Sequence, residues 1–435
     1  MLKQIEPGEL IVGMYVARLG CSWLVSPFWK KSFLVESAEE LNKIRECRID
    51  EVWIDTSKGR DLPAVARSGA GSAPPAASAA PAAGATATAT AVAAPATAAP
   101  APAPSRAARP RVGAPFVAQA PASIRAEMGR AGKTLDSGKS AVRSMFGEAR
   151  MGRAVEVGEA MLLVEDIAGS VMRNANALIS LARLKTIDDY TYMHSVAVCA
   201  LMIALARELK LDDDQVREAG LAGLLHDVGK MAIPLEILNK PGRLTEGEFD
   251  VVRAHPAEGF RMLQASTDIG DAALDVCMHH HEKMDGSGYP QGLKGEQISL
   301  FARMGAICDI YDAVTSNRPY KKGWCPTESL RKMAEWRGNH LDADLFMAFV
   351  KCVGIYPVGT LVRLRSGRLG VVCELTEGKP LTQPKLRVFF STKSATYIAP
   401  EWLDLATPSC QDAIVGHEDA DAWKLVDIDR YWMGE

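Results

Sequence analysis

Between Leu62 and Pro121 the sequence collapses into alanine, proline, threonine and glycine, as in SAPPAASAAPAAGATATAT. Proline interrupts the helix that alanine would favour, and almost no side chain there is large enough to build a core. Such a stretch reads as a disordered linker over residues 62–121, extended where proline is dense. It cuts the chain into an N-terminal module, residues 1–61, and a longer C-terminal part, each left to bury its own core.

The two sides carry different periodicities. In the module, Leu10–Leu19 and Asp50–Asp55 are rich in apolar and β-branched residues and predict strands. Ser37–Cys47 predicts a helix, with Ser37 as N-cap and Glu40 completing a capping box. Beyond the linker, Met161, Val164, Ala168, Val171, Ala175, Leu178 and Ala182 recur at three- and four-residue steps. Tyr190–Leu209 and Asp213–His226 predict two more helices, the second opened by the acidic cap LDDDQ. Arg243–Arg261 and Pro326–Trp336 add others, and no convincing strand series interrupts this region. Residues 122–185 are thus read as connecting helices and 186–355 as an all-α domain. Past Tyr356, VGTLVRLRSGRLGVVCEL predicts two strands about a Ser-Gly turn and LRVFF a third. The expected fold is mainly α: a helical bundle, a small N-terminal α+β module and a small C-terminal β extension over 356–435.

A net charge of −3 over 435 residues gives no general attraction to nucleic acid or anionic membrane, so any phosphate binding must be local. No apolar run reaches the ~18 residues of a membrane span, and MLKQIEPGEL lacks the pattern of a secretory signal. Nine dispersed cysteines read as reduced thiols of a cytoplasmic protein, with Cys277 and Cys308 as small buried hydrophobes. Neither a membrane nor a nucleic acid polymer is expected as a partner, and the oligomeric state is not written in the pattern.

Chemistry concentrates between Leu224 and Lys322, in LLHDVGK, RAHP, HHHEKMDGSGYP and CDIYDAVTSNRPYKK. The chain has eight histidines; five lie in these segments, and His194 sits one helix upstream. Neutral imidazoles and carboxylates are the usual ligands of first-row divalent ions. His226 and Asp227 are adjacent, so on a helix they diverge by about 100°, and the carboxylate can bridge two ions. Lys230 follows one turn after His226 and suits a substrate phosphate. His255, His280, His281 and Asp309 can close two coordination spheres, with His194 as a further ligand. So many imidazoles with two carboxylates favour iron or manganese over a structural zinc. Any one of these residues alone is commonly a packing residue, as His340 and His417 are read to be; the conjunction in this order is specific.

HDxGK, HHExxDGxGYP and DxxDAxTSxRPY together resemble the HD-GYP phosphodiesterases, a branch of the HD-domain metal-dependent phosphohydrolases. The resemblance spans Thr186–Val353, and GMYV and PFWKKSFLV resemble a domain of unknown function often placed ahead of this catalytic unit. It implies an HD-type helical bundle in which His194, His226, Asp227, His255, His280, His281 and Asp309 bind metal, Asp227 bridging. The implied substrate is cyclic di-GMP, cut to pGpG or GMP by in-line attack of an activated water, with Lys230 neutralising the phosphoryl oxygens. Some members hold a third metal through a glutamate four residues before the first histidine; Tyr190 stands there, so two ions are expected. Spacing to Glu282 and Asp285 assigns the ligands to His280 and His281 and leaves His279 unassigned.

Arg318 and Lys321 resemble the family's phosphate-binding positions. The loop Asp285–Pro290 reads as a tight turn where backbone passes near a ligand or partner, and Tyr289 either stacks on guanine or fills the loop. Glu282 and Asp285 are expected to orient histidine N–H groups and Lys230. Two alternatives remain. One is the same chemistry on another cyclic dinucleotide, such as cyclic GMP-AMP. The other is a non-catalytic receptor, engaging nucleotide or signalling proteins through the GYP loop or the N-terminal module.

Overall fold

Two units make up the chain in the computed structural model, Met1–Pro102 and Ala103–Glu435. The described residues are 2–19, 33–35, 37, 41, 52–60, 115–116, 119–184, 190–240, 242–316, 323–376 and 378–433.

The first unit is an antiparallel sheet of β1 (Leu2–Ile5), β2 (Tyr15–Leu19), β3 (Phe33–Leu34) and β4 (Val52–Asp55), in the order β1-β4-β2-β3. Val52 and Ile54 alternate inward with Ile5, Leu10, Met14, Val16 and Val35 to form its core. The strand predicted from Leu10 begins only at Tyr15, because Pro7–Glu9 forms a 3-10 turn and Gly13 takes a φ of +92°. Most of the predicted helix Ser37–Cys47 lies outside the described residues.

The second unit is built on helices. α1 (Ile124–Arg150) and α2 (Val157–Ala182) pack as a pair, and α2 carries the predicted apolar run. α3 (Tyr190–Glu208) is buried without a break from Met193 to Ala206, as expected of a helix that is apolar all round. Among the described helices it alone is long and apolar enough to cross a membrane, yet most of it lies inside the bundle. α4 (Asp213–Leu225) opens on a capping box in which Asp212 and Gln215 bond reciprocally, at the predicted acidic cap.

Short α5 (Leu235–Leu238) is followed by α6 (Glu246–Arg253) and α7 (His255–Gln264), where the sequence predicts one helix from Arg243 to Arg261. The break at Ala254 has a cause. Pro256 has no N–H to give the Val252 carbonyl, so the i→i−4 ladder stops there, and that carbonyl accepts from His255 instead. α8 (Asp271–His279), α9 (Leu300–Thr315), α10 (Pro326–Glu335) and α11 (Ala343–Val353) complete the bundle.

A five-stranded antiparallel sheet follows, in the order β8-β7-β6-β5-β9. β5 (Leu361–Leu364), β6 (Arg368–Glu374) and β7 (Lys385–Ser391) are the three predicted strands. β8 (Thr396–Asp404) and β9 (Ile414–His417) were not expected; β8 is mostly exposed and β9 is only four residues long. Nor is the sheet an appendage. Val371, Val388, Phe389 and Trp432, the last on α12 (Arg430–Met433), share one continuous core with Leu178, Ile203 and Phe349.

Most of the predicted linker lies outside the described residues, but its end is docked. Phe116 N–H donates to Asp213 Oδ2 at 3.0 Å, and the Arg217 guanidinium stacks 4.2 Å above the Phe116 ring. Ala122 N–H donates to the Arg173 carbonyl, and Asn174 Nδ2 donates to the Ala122 carbonyl at 2.9 Å, where α2 departs from helical geometry.

Candidate metal centre

Helix ends deliver three of the histidines. His226 follows the last residue of α4, His255 begins α7 and His280 follows α8. The final carbonyls of a helix have lone pairs to spare, and the ring Nδ1 atoms bond to them, at Val276 beside the His280 backbone N–H that the same carbonyl accepts. His226 Nδ1 lies 2.8 Å from the Gly223 carbonyl, His255 Nδ1 2.7 Å from that of Val252, and His280 Nδ1 2.9 Å from that of Val276. A carbonyl only accepts, so each Nδ1 carries the proton and each Nε2 is left to present its lone pair.

Those Nε2 atoms converge on one carboxylate. Asp227 Oδ2 is 3.3 Å from both His194 Nε2 and His226 Nε2. Asp227 Oδ1 is 3.3 Å from His255 Nε2 and 3.8 Å from His280 Nε2. Asp309, on α9, spans the same two sets: Oδ1 is 3.0 Å from His194 Nε2, and Oδ2 is 3.9 Å from His281 Nδ1. The possible ligand atoms thus fall into two groups, His194–His226–Asp227 and His255–His280–His281.

Glycine makes the convergence possible. A Cβ on Gly229 would stand 1.9 Å from the His255 carbonyl oxygen and 2.4 Å from the Gly259 nitrogen. The turn after Asp227 therefore lies backbone to backbone against α7, which brings Asp227 and His255 together.

Electrostatics here is that of buried, opposed charges. Burial disfavours the charged form of Asp227, but Lys230 and His226 hold its carboxyl well below the usual range. Asp309 is likewise held low against burial, chiefly by His194. Burial, with His226 and His255 alongside, pulls His280 down to about 3 and so keeps it neutral. His194 goes the other way: burial opposes its charge, yet Asp227, Asp309 and Asp312 raise it to about 10. A cation arriving at Nε2 displaces that proton.

The remaining predicted residues sit as follows. Lys230 pairs directly with Asp227 Oδ2. Tyr289 stacks on His281, ring centroids 4.8 Å apart. Glu282 and Asp285 depart from expectation, because neither meets a site histidine or Lys230. The buried Glu282 carboxylate accepts from the backbone N–H groups of Gln291, Gly292 and Leu293, closing the GYP loop upon itself. Asp285 accepts from Ser287 N–H and Oγ, and its other oxygen lies 3.8 Å from His340. Gly288 rests on the backbone of Glu282, where a Cβ would meet Cα at 2.4 Å. His279 turns away and bonds Asp275 Oδ1 at 2.8 Å. Cys277 and Cys308 are buried thiols. Arg318 and Lys321 lie outside the described residues. One residue was missed: Asp312, whose Oδ2 takes His194 Nδ1 at 2.6 Å. Its signal was the DxxD spacing, which puts Asp309 and Asp312 on one helix face.

The residues fit a metal. His226 Nε2 and Asp227 Oδ1 are buried and have no hydrogen-bond partner among the described residues, which costs about 1–3 kcal/mol each or more. A divalent cation satisfies both.

A helical bundle that gathers imidazoles and carboxylates from its helix ends and from two helix interiors in this way is a metal-binding hydrolase domain of the HD type. The HD-domain family model matches residues 171–345, and a domain of unknown function, DUF3391, matches residues 2–160. The chain is 51% identical over 435 residues to a cyclic di-GMP phosphodiesterase of Pseudomonas aeruginosa, covering all of this chain and 96% of that one. A cyclic di-GMP phosphodiesterase response regulator of Xanthomonas campestris is 44% identical over 140 residues, 32% of this chain and 37% of its own. A 3′3′-cGAMP-specific phosphodiesterase of Vibrio cholerae is 35% identical over 195 residues, 44% of this chain and 43% of its own. The chain belongs to the HD-GYP family of phosphodiesterases.

Proposed function

We propose that this chain hydrolyses the phosphodiester bonds of cyclic di-GMP at a centre of two divalent ions, iron or manganese. His194, His226 and Asp309 would hold one ion; His255, His280 and His281 would hold the other; Asp227 would bridge them. The observation that carries this reading is the division of Asp227, whose Oδ2 faces one histidine pair and whose Oδ1 faces the other. When bound, two such ions lower the pKa of water and polarise phosphoryl oxygens.

The chain's own residues supply the rest. The Nδ1 bonds to Gly223, Val252 and Val276 hold the imidazoles in the ligating tautomer. Lys230 places a positive charge beside Asp227, where it offsets charge gathering on phosphate oxygens. Arg318 and Lys321 are proposed to grip the substrate phosphates. Tyr190, stacked on His194 with centroids 5.7 Å apart, stands where a third ion would need a carboxylate, so two ions are proposed. Residues 186–355 form the catalytic part in this reading, and residues 1–61 regulate it across the linker.

Anaerobic purification with metal analysis, then incubation with cyclic di-GMP and chromatography of the products, tests the proposal. About two iron or manganese per chain with pGpG or GMP appearing supports it. Turnover that survives Asp227→Ala would remove the bridging role.

A further inference from the structure

Beside the metal centre the pocket wall continues as a stack. The His281 ring lies against Tyr289 with 29° between their planes, and the Arg253 guanidinium sits 4.8 Å above the same tyrosine ring. Arg253 ends α6, two residues before His255, and Asp250 lies one turn back on the same face. Asp250, Arg253, Ala254, Tyr289 and Pro290 line an open depression of about 240 Å³. That is below the roughly 300–1,000 Å³ of a pocket for a drug-sized ligand, and suits one heterocycle better than a whole dinucleotide.

The charges say which heterocycle. Tyr289 engages the guanidinium through its face, which leaves the edge N–H groups for an acceptor in the guanidinium's own plane. A phosphate there would also meet the exposed Asp250 carboxylate, a like charge, so the pair does not suit a phosphate. A neutral base with acceptors on one edge and donors on the next does suit it. Guanine offers O6 and N7 to an arginine fork and carries donors at N1 and the 2-amino group, which a carboxylate accepts. Adenine reverses both: its 6-amino group faces the arginine and its bare N1 faces the carboxylate.

We propose that this depression is a guanine subsite of the phosphodiesterase, Arg253 reading O6 and N7 and Asp250 reading N1–H and the 2-amino group. The inference rests on the cyclic-dinucleotide reading of the metal centre and assigns that centre its base preference. Its test is the ratio of kcat/KM for cyclic di-GMP to that for cyclic di-AMP, measured with the full-length metal-loaded protein and with Asp250→Ala and Arg253→Ala. Metal content and far-UV circular dichroism are followed in parallel. Each substitution should lower the ratio about ten-fold or more, chiefly through KM for cyclic di-GMP. An unchanged ratio in both variants overturns the subsite even if turnover of cyclic di-GMP stands. A wild type that cleaves neither dinucleotide sinks the phosphodiesterase reading instead. Equilibrium dialysis with cyclic di-GMP then decides the subsite: binding lost in Asp250→Ala upholds it, and equal binding overturns it.

Discussion

Asp312 Oδ2 lies 2.6 Å from His194 Nδ1, and that bond decides which nitrogen of the imidazole faces Asp227. The carboxylate is itself steadied by Ser316 Oγ at 3.3 Å. Removing such a partner costs a metal site roughly 10–100-fold in affinity, because the ring loses both its orientation and part of its basicity. Asp312→Ala should therefore weaken binding of the ion beside His194 by about that factor while leaving the helical spectrum unchanged. Competition against a graded chelator measures it; an affinity equal to wild type would show that the bond is only structural.

Pro256 makes a less obvious case. It binds nothing at the site, yet by lacking an N–H it leaves the Val252 carbonyl to His255 Nδ1. Pro256→Ala restores a backbone donor that competes for that carbonyl and lets α6 and α7 join. The expected result is a chain of equal or slightly greater thermal stability whose affinity for metal falls. A variant that loses stability and keeps its affinity would contradict the argument.

These two residues mark where sequence reading stopped. The long helices were legible because unbroken apolar runs such as Met193–Ala206 admit one fold, and the site was legible because histidine is rare in this chain. The tautomers were not, since they depend on which carbonyls a helix end leaves free. Glu282 and Asp285 are read from sequence as carboxylates that orient histidine N–H groups and Lys230, but backbone amides of their own loop reach them first. β8 escaped because a mostly exposed strand carries little inward-facing alternation, and β9 because four residues are too few to show a pattern. Asp250 belongs to no motif and Arg253 stands in RAHP without an assigned role; only the approach of α6 to the GYP loop brings them beside Tyr289.

Gly229 tests the backbone contact that joins the two histidine sets. A methyl there would stand 1.9 Å from the His255 carbonyl oxygen, and backbone cannot yield as a flexible side chain can. Gly229→Ala should cost about 1–3 kcal/mol or more in urea unfolding and separate Asp227 from His255, so that fewer ions are retained per chain. Retention of the full complement would mean that the turn shifts without cost.

Glu127 provides a pH test remote from the metal centre. It is wholly buried at the start of α1 and accepts from Ser170 Oγ at 3.0 Å, Arg173 Nη2 at 2.9 Å and Arg130 Nε at 2.8 Å. Burial alone would raise its pKa, but Arg173, Arg130 and Ser170 together hold it below the ordinary 4.5. The unfolded chain then binds the proton first as the solution is acidified. The stability that Glu127 contributes is full above pH 4.5 and is lost as pH falls through the lower, folded-state value. Glu127→Gln should cost about 1–3 kcal/mol at pH 7, since it leaves Arg173 without its carboxylate. Urea titrations of both proteins at pH 7 and at stepwise lower pH should show the gap holding down to about 4.5 and closing below it. A gap that is constant across that range would place the effect in packing rather than in charge.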